Sequence, residues 1–261
     1  MTDAPAQSGS LPSSLRHWDP QDRWYKPAVS AAVILLSRFT MQVLNRVQFE
    51  DRHHWDESFA TRPRGLLSFS NHVSLFDDPL LISCLGELQY RNIRWIPADH
   101  INFFGNAAKG WLFSCGKCIP IIRGGGLDQP GFSFLRERLQ EGDWVHIFPE
   151  GGRTRDRTEG LKLPFKSGIG RLIMEARPRV LPFVHRGMSQ VLPIGARLPS
   201  SGHEVRVRFG QATQISSEWT ERISEQASDL RDAWRLATAW AEAELQALHR
   251  SLHQSAQDEA T

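Results

Sequence analysis

Residues 65–79 read GLLSFSNHVSLFDDP, and the order of residue types in this stretch governs how the rest of the chain is read. Leu66, Leu67 and Phe69 make a short apolar run that stops at Ser70-Asn71, which predicts a buried strand ending in a polar turn. His72 follows, then Val73-Ser74-Leu75-Phe76, then Asp77, Asp78 and Pro79. A strand that runs into a polar turn and then a helix is where α/β folds place chemistry. On one continuous helix, the five-residue step from His72 to Asp77 would leave the two side chains about 140° apart. The pair therefore works with His72 in the loop and Asp77 in the first helical turn, with Ser74 as N-cap. Asp77 then holds one ring nitrogen and leaves the other free as a general base. Spacing alone does not decide this. His17…Asp22 and His253…Asp258 repeat it in polar terminal segments, and only His72 has a strand before it and a helix-like run after it.

The 261 residues suffice for one substantial core with appended helices. Hydrophobic content of 40% and charged content of 23% fit a folded soluble or peripheral protein. A net charge of +2 gives no argument for nucleic acid, and no binding motif for it accompanies the local basic clusters. Three cysteines, Cys84, Cys115 and Cys118, argue against a disulfide-stapled fold. Cys115 and Cys118 have metal or redox spacing without a second pair, so they read as structural thiols, and no metal is expected. Nine tryptophans against two tyrosines suggest core positions, with some at a membrane interface. The segment before residue 28 lacks the apolar region of a signal peptide, and Asp3, Asp19 and Asp22 speak against a cleavable mitochondrial presequence.

Along the chain, residues 1–24 are polar and read as a flexible tail. Residues 27–47 (PAVSAAVILLSRFTMQVLNRV) are apolar first and basic later. No run of about 18 apolar residues is present to span a bilayer; the segment reads as an interfacial helix or, equally, a core helix. Residues 47–54 and 65–70 read as strands around a charged turn at 62–64. Residues 80–88 read as helix and 94–98 as strand, and 101–113 form an aromatic patch. Residues 116–126 (GKCIPIIRGGG) make a strand ending in Arg123 and a glycine loop. That pattern suits a phosphate as well as it suits a surface salt bridge. A helix over 132–141 closes at Gly142. The strand 143–148 then delivers Pro149-Glu150-Gly151, where Glu150 is a candidate acceptor for substrate hydroxyls or a local turn carboxylate. The run 153–157 adds three arginines, a cationic edge for an anionic headgroup. A helix over 164–176, kinked near Gly168 and Gly170, a strand over 180–185 with a structural His185, and a half-exposed or edge strand over 204–209 complete the domain. Residues 219–253 carry the stripe of one or two amphipathic helices.

In this order the blocks resemble the glycerophospholipid acyltransferase family. Asn71-His72-x4-Asp77 matches its catalytic block, 116–124 its phosphate-contacting block, Phe148-Pro149-Glu150-Gly151 its glycerol-phosphate block, and 180–185 its fourth. Residues 142–151 (GDWVHIFPEG), 168–175 (GIGRLIME), His185-x-Gly187-Met188 and Val191-Leu192-Pro193 extend the likeness to one branch of the family, across about 25–215. The glycine triplet 124–126 and the arginines after Glu150 differ in detail from that branch.

The resemblance implies an α/β fold: a central mixed, mostly parallel sheet flanked by helices. It divides the chain into a tail (1–24), an acyltransferase domain (25–215) with its interface helix, C-terminal amphipathic helices (216–253) and a final tail (254–261). It implies O-acyl transfer between a phospholipid and a lysophospholipid without coenzyme A, of the kind that remodels cardiolipin. His72 and Asp77 would be catalytic, while Arg123, Glu150 and Gly151 would bind substrate, with no cofactor. It also implies monotopic residence at a mitochondrial membrane, facing the intermembrane space, with the oligomeric state open. The alternative within the same dyad is an acyl-CoA-dependent lysophospholipid acyltransferase; a non-enzymatic membrane scaffold is a further competitor.

Overall fold

A computed structural model describes residues 13–61, 65–155 and 159–258. In chain order, α1 (Lys26–Arg38) continues as a π-helical segment (Phe39–Leu44) and leads into β1 (Arg46–Glu50) and α2 (Arg52–Ala60). Then come β2 (Leu66–Ser70), a π-helical turn (Asp77–Leu81), β3 (Ile96–Asp99), α3 (His100–Phe104), α4 (Ala107–Cys115) and β4 (Cys118–Ile121). The second half holds α5 (Pro130–Gln140), β5 (Trp144–Ile147), α6 (Gly168–Ala176), β6 (Arg179–Arg186), the short α7 (Met188–Val191), β7 (Glu204–Phe209) and β8 (Thr213–Gln214). Two helices, α8 (Ser217–Gln226) and α9 (Leu230–Asp258), end the described chain.

The expected mixed, mostly parallel sheet is present. Strands run β1-β7-β6-β2-β5, with β8 on β6. β2 is parallel to both β5 and β6, and β6 meets β7 antiparallel. β3 and β4 form their own parallel pair, joined to β5 by a parallel bridge between Trp95 and Val145. Alternate residues of a strand face opposite sides, and here both sides are covered. Leu67, Phe69, Val145 and Val180 pack with Leu139, Leu172, Ala237 and Leu245 from α5, α6 and α9. Leu66, Trp144, Leu181 and Val207 pack on the other side with Trp55 and with Leu80 and Leu81. That double cover explains why β2 is buried at every position. It also brings the ends of β2, β4, β5 and β6 to one edge, so the loops after them share one site.

Several expectations change. The stretch 47–54 is not one strand: β1 ends at Glu50 and α2 fills the interval before β2, burying Trp55 and Ser58 at helical spacing. The turn expected at 62–64 lies outside the described residues. β7 alternates in burial as expected, but it lies inside the sheet, between β1 and β6. The helix expected from residue 164 starts at Gly168. Residues 13–24 are not a loose tail where described. Trp18 meets Phe134 edge-on at 5.2 Å, and the buried Lys26 ammonium gathers the carbonyls of Asp19 (2.5 Å) and Gln21 (2.6 Å). A buried ammonium requires such acceptors, and the chain before α1 folds around it. At the other end α9 runs to Asp258, beyond the boundary expected at 253; residues 1–12 and 259–261 lie outside the described residues.

The helix from Lys26 to Leu44 is longer and more apolar than expected, 19 residues with mean hydropathy 1.5, enough by length and composition to cross a membrane. It is nonetheless fastened along the domain. Lys26, Ser30, Ile34, Ser37 and Met41 are buried at three- and four-residue steps, and Ser30 Oγ donates to the Cys115 carbonyl at 2.5 Å. Leu35, Leu36, Phe39 and Val43 form the exposed outer face.

α6 packs directly on α9 at Gly170, where a Cβ would collide with the Trp234 carbonyl oxygen and with Thr238. Gly170→Ala is expected to destabilise the fold by ~2–3 kcal/mol through forced separation of the helices. In a thermal melt this corresponds to a fall of roughly 5–10 °C.

Candidate active site

β2 delivers Ser70, Asn71 and His72 to the shared edge, and two buried carboxylates fix the loop that follows. Asp77 Oδ2 accepts from His72 Nδ1 at 2.9 Å, from Val73 N–H at 2.8 Å and from Ser74 N–H at 3.0 Å. Glu150 Oε1 accepts from His72 N–H at 2.7 Å, and Oε2 from Lys162 N–H at 2.7 Å. The geometry places His72 in the loop and Asp77 in the first turn of the helix, as the spacing predicts. Ser74 is not the cap: Phe76 holds that position, and Ser74 Oγ accepts from Phe76 N–H at 3.3 Å. With Nδ1 committed to Asp77, Nε2 is the nitrogen left to act as base. The imidazole stacks on Phe148, centroids 4.1 Å apart and planes 13° apart. This clamps the ring against rotation.

Burial pushes the Asp77 carboxyl up, but His185, the hydrogen bond and charge of His72, and the Ser74 amide outweigh it and hold it below the usual carboxylate range. The carboxylate therefore stays ionised beside the His72 ring. Next to it, Asp78 forms a bidentate pair with the buried Arg94, whose Nε lies 2.7 Å from Oδ1; Arg94 also donates to the Gly116 carbonyl at 2.8 Å. This ion pair ties the helical turn to the end of α4.

His72 opens on a cavity of about 760 Å³. Its walls are mainly apolar: Val29, Val33 and Ile34 from α1, Phe103, Leu112 and Phe113 from α3 and α4, and Ile121, Phe132 and Phe148. Arg123 and Gly151 line it as well, together with Lys166. Arg123 combines both readings of the sequence. It faces the cavity at 64% side-chain exposure, and its Nε is 3.0 Å from Oδ2 of the buried Asp99. Gly151 has φ +66° and a Cβ there would press on the Lys166 stem at 2.9 Å, so the turn after β5 requires glycine.

Glu150 departs from its expected role. It is buried, does not line the cavity, and spends both oxygens on backbone amides of this chain. It positions His72. A glutamate after a strand looks the same in sequence whether it faces substrate or backbone. Gln129, also not singled out by the sequence, braces the glycine loop by donating to the carbonyls of Gly126 (2.6 Å) and Ile122 (3.2 Å) and accepting from Ile122 N–H (2.8 Å).

A second unforeseen group is a buried polar chain under the loop. Trp144 Nε1–H donates to Ser68 Oγ at 2.7 Å, leaving the Ser68 hydroxyl to donate to His146 Nδ1 at 2.9 Å. His146 then carries its proton on Nε2, 3.4 Å from Ser70 Oγ, and Ser70 donates to the Asn71 carbonyl at 3.1 Å. Burial first, then Arg94 and the neighbouring imidazoles, pushes His146 well below the usual histidine range. It is a neutral strut. The three cysteines are buried and free, as expected.

Burial pushes the Glu150 carboxyl up to about 7, against the pull of the Lys162 and His72 amides. A folded-state value above the unfolded one means stability that is full below about 4.5 and is lost as pH rises through about 7. Glu150→Gln faces one amide N–H with another and is expected to cost ~1–3 kcal/mol at pH 5. Its deficit against the parent in thermal melts is expected to narrow between pH 5 and pH 8.

Residues 47–186 match the sequence profile of the Acyltransferase family. The chain is 34% identical over 208 residues to Tafazzin of Drosophila melanogaster, covering 76% of this chain and 54% of that protein. It is 34% identical over 174 residues to N-acylphosphatidylethanolamine synthase of Arabidopsis thaliana (63% of this chain, 61% of that one) and 35% identical over 182 residues to Taffazin of Dictyostelium discoideum (65% and 62%). The chain thus spans between 54% and 62% of the length of these relatives. In fold it is similar to the 1-acyl-sn-glycerophosphate acyltransferase of Thermotoga maritima, with a TM-score of 0.58 at 18% identity over 90% of this chain and 85% of the other. The family profile covers more than half of the sequence and every loop of the site from Asn71 to His185, and the chain belongs to the acyltransferase family.

Proposed function

We propose that this protein is a phospholipid–lysophospholipid transacylase that moves acyl chains without coenzyme A, with cardiolipin among its substrates, at a mitochondrial membrane. The observation that carries the chemistry is the His72 imidazole, held by Asp77 on one nitrogen and opening with the other edge on a deep apolar cavity. His72 Nε2 takes the proton of the free lysolipid hydroxyl, and the oxygen attacks the donor ester carbonyl. The tetrahedral intermediate collapses, and the imidazolium returns its proton to the departing lysolipid oxygen. Asp77 stabilises the imidazolium between the two transfers. Arg123, lining the cavity, holds a lipid phosphate, and Gly151 keeps the wall open beside the Lys166 stem. Relatives named Tafazzin support the transacylase reading and the mitochondrial setting.

The membrane contact we propose is a helix lying in the interface. Its inner face is bound to the domain from Lys26 to Met41, while Leu36 (66% exposed) and Phe39 (51% exposed) face outward. Val29 and Val33 of the same helix line the cavity, so an acyl chain passes from bilayer to His72 without crossing water. Exchange of Leu36 and Phe39 together for glutamate is expected to weaken liposome binding more than tenfold, from two lost apolar contacts of ~1.5–3 kcal/mol each. The melting temperature is expected to stay unchanged.

The deciding assay mixes purified full chain, a lysophospholipid and an isotope-labelled diacyl phospholipid in liposomes, with no coenzyme A. Label is expected to move to the lysolipid, and His72→Ala is expected to lower the rate by about 10³-fold with unchanged circular dichroism. Acylation that requires acyl-CoA would establish the CoA-dependent alternative instead. Label appearing on the amine of phosphatidylethanolamine would align the protein with its Arabidopsis relative.

A further inference from the structure

His185 lies near the end of β6, fully buried, behind the dyad. The Asn71 side chain clamps it at both backbone atoms: Asn71 Nδ2 donates to the His185 carbonyl at 2.8 Å, and His185 N–H donates to Asn71 Oδ1 at 2.9 Å. This clamp fixes the ring. Its Nε2 lies 3.0 Å from the Asn71 carbonyl, an acceptor that requires a proton on that nitrogen. The same Nε2 lies 3.8 Å from Asp77 Oδ2, the oxygen that holds His72. The Asn71 carbonyl also accepts from Ser70 Oγ; the His185 proton points to that carbonyl, with Asp77 Oδ2 beyond hydrogen-bond distance and within electrostatic reach. His185 Nδ1 and Asp77 Oδ1 are both buried without hydrogen-bond partners. Among the described residues, then, Asp77 is held through Oδ2, and the His185 imidazole faces that same oxygen from 3.8 Å, acting on it through space.

We propose that His185 is a positioning residue for acyl transfer, a second imidazole whose Nε2–H bears on Asp77 from behind and sets how tightly the carboxylate holds the His72 proton. The proposal rests on the transacylase reading for its activity readout. An N–H dipole aimed close beside a carboxylate stabilises its charge and makes it a weaker base toward its first donor, so His185 eases return of the proton from His72 to the leaving oxygen. Stored hydrogen-bonding capacity at this point changes turnover rather than lipid affinity, because His185 does not line the cavity. The other titratable groups around the ring are His72 on the loop, His146 on β5 and His249 on α9, with Glu159, whose Oε2 binds Gly187 N–H at 2.8 Å. The Asp77 carboxylate meets a His185 ring nitrogen at 3.8 Å.

The test compares full-length parent, His185→Phe and His185→Gln in the liposome assay and by ring-labelled histidine NMR in detergent. Phe removes the donor; Gln restores an N–H at nearly the same place. In His185→Phe the acid limb of kcat/KM and the NMR titration of His72 are expected to move to higher pH by roughly half a unit to one unit, and kcat to fall about tenfold with KM unchanged. His185→Gln is expected to recover most of both. An unmoved acid limb and unmoved His72 titration in folded His185→Phe would overturn the proposal. So would equal loss in both variants that tracks a lowered melting temperature, the mark of a purely structural histidine. If the parent itself shows no transfer, the transacylase reading fails separately, and the His72 titration still decides whether His185 acts on the dyad.

Discussion

Two buried carboxylates grip one short loop, and the site depends on that grip. Glu150 holds the amide of His72 and Asp77 holds its ring together with the next two amides. Neither carboxylate would tolerate burial alone, since a desolvated charge needs donors. The backbone supplies them. All but the Lys162 amide come from the loop that carries His72, so the electrostatic need of the acids and the rigidity of that loop are met by the same bonds. The parallel arrangement of β2 and β5 makes this possible, because only strands running the same way bring His72 and Glu150 to one edge.

Underneath, polar groups continue into the core. The Ser68–His146–Ser70 chain and the Asn71 clamp on His185 replace apolar packing at the ends of three adjacent strands. A buried network of directional hydrogen bonds favours one geometry over nearby alternatives. The apolar faces of the sheet hold the strands together, and this polar seam sets the register of their ends. Arg94 does the equivalent for the far side of the turn by joining Asp78 to α4.

Much of this was legible before any coordinates. Apolar runs followed by polar turns located β2, β4, β5 and β6, and the strand before His72 separated it from two equally spaced decoys. What escaped has physical reasons. Glu150 and Gln129 point at backbone atoms, which leave no mark on a sequence pattern. His146 and His185 sit on apolar strands, where a histidine reads as filler. The helix Arg52–Ala60 has few apolar residues, with Trp55 and Phe59 its large side chains in the core, so its periodicity was too faint against the strand-like residues before it. The packed segment before α1 was hidden because its organising group is a lysine, a type almost always found in water.

The last helix has a consequence for how the protein is made. Glu242 of α9 accepts from the Phe165 amide at 2.7 Å, and His249 of α9 bonds the Glu159 carbonyl at 3.1 Å. Both contacts land on the segment between β5 and α6, the one that supplies the Lys162 amide to Glu150. The strands and loops of the candidate site precede α9 in the chain, so the brace that holds them is synthesised after them. A ribosome-bound intermediate that has not yet released α9 therefore carries His72 and Asp77 with their supporting segment unanchored.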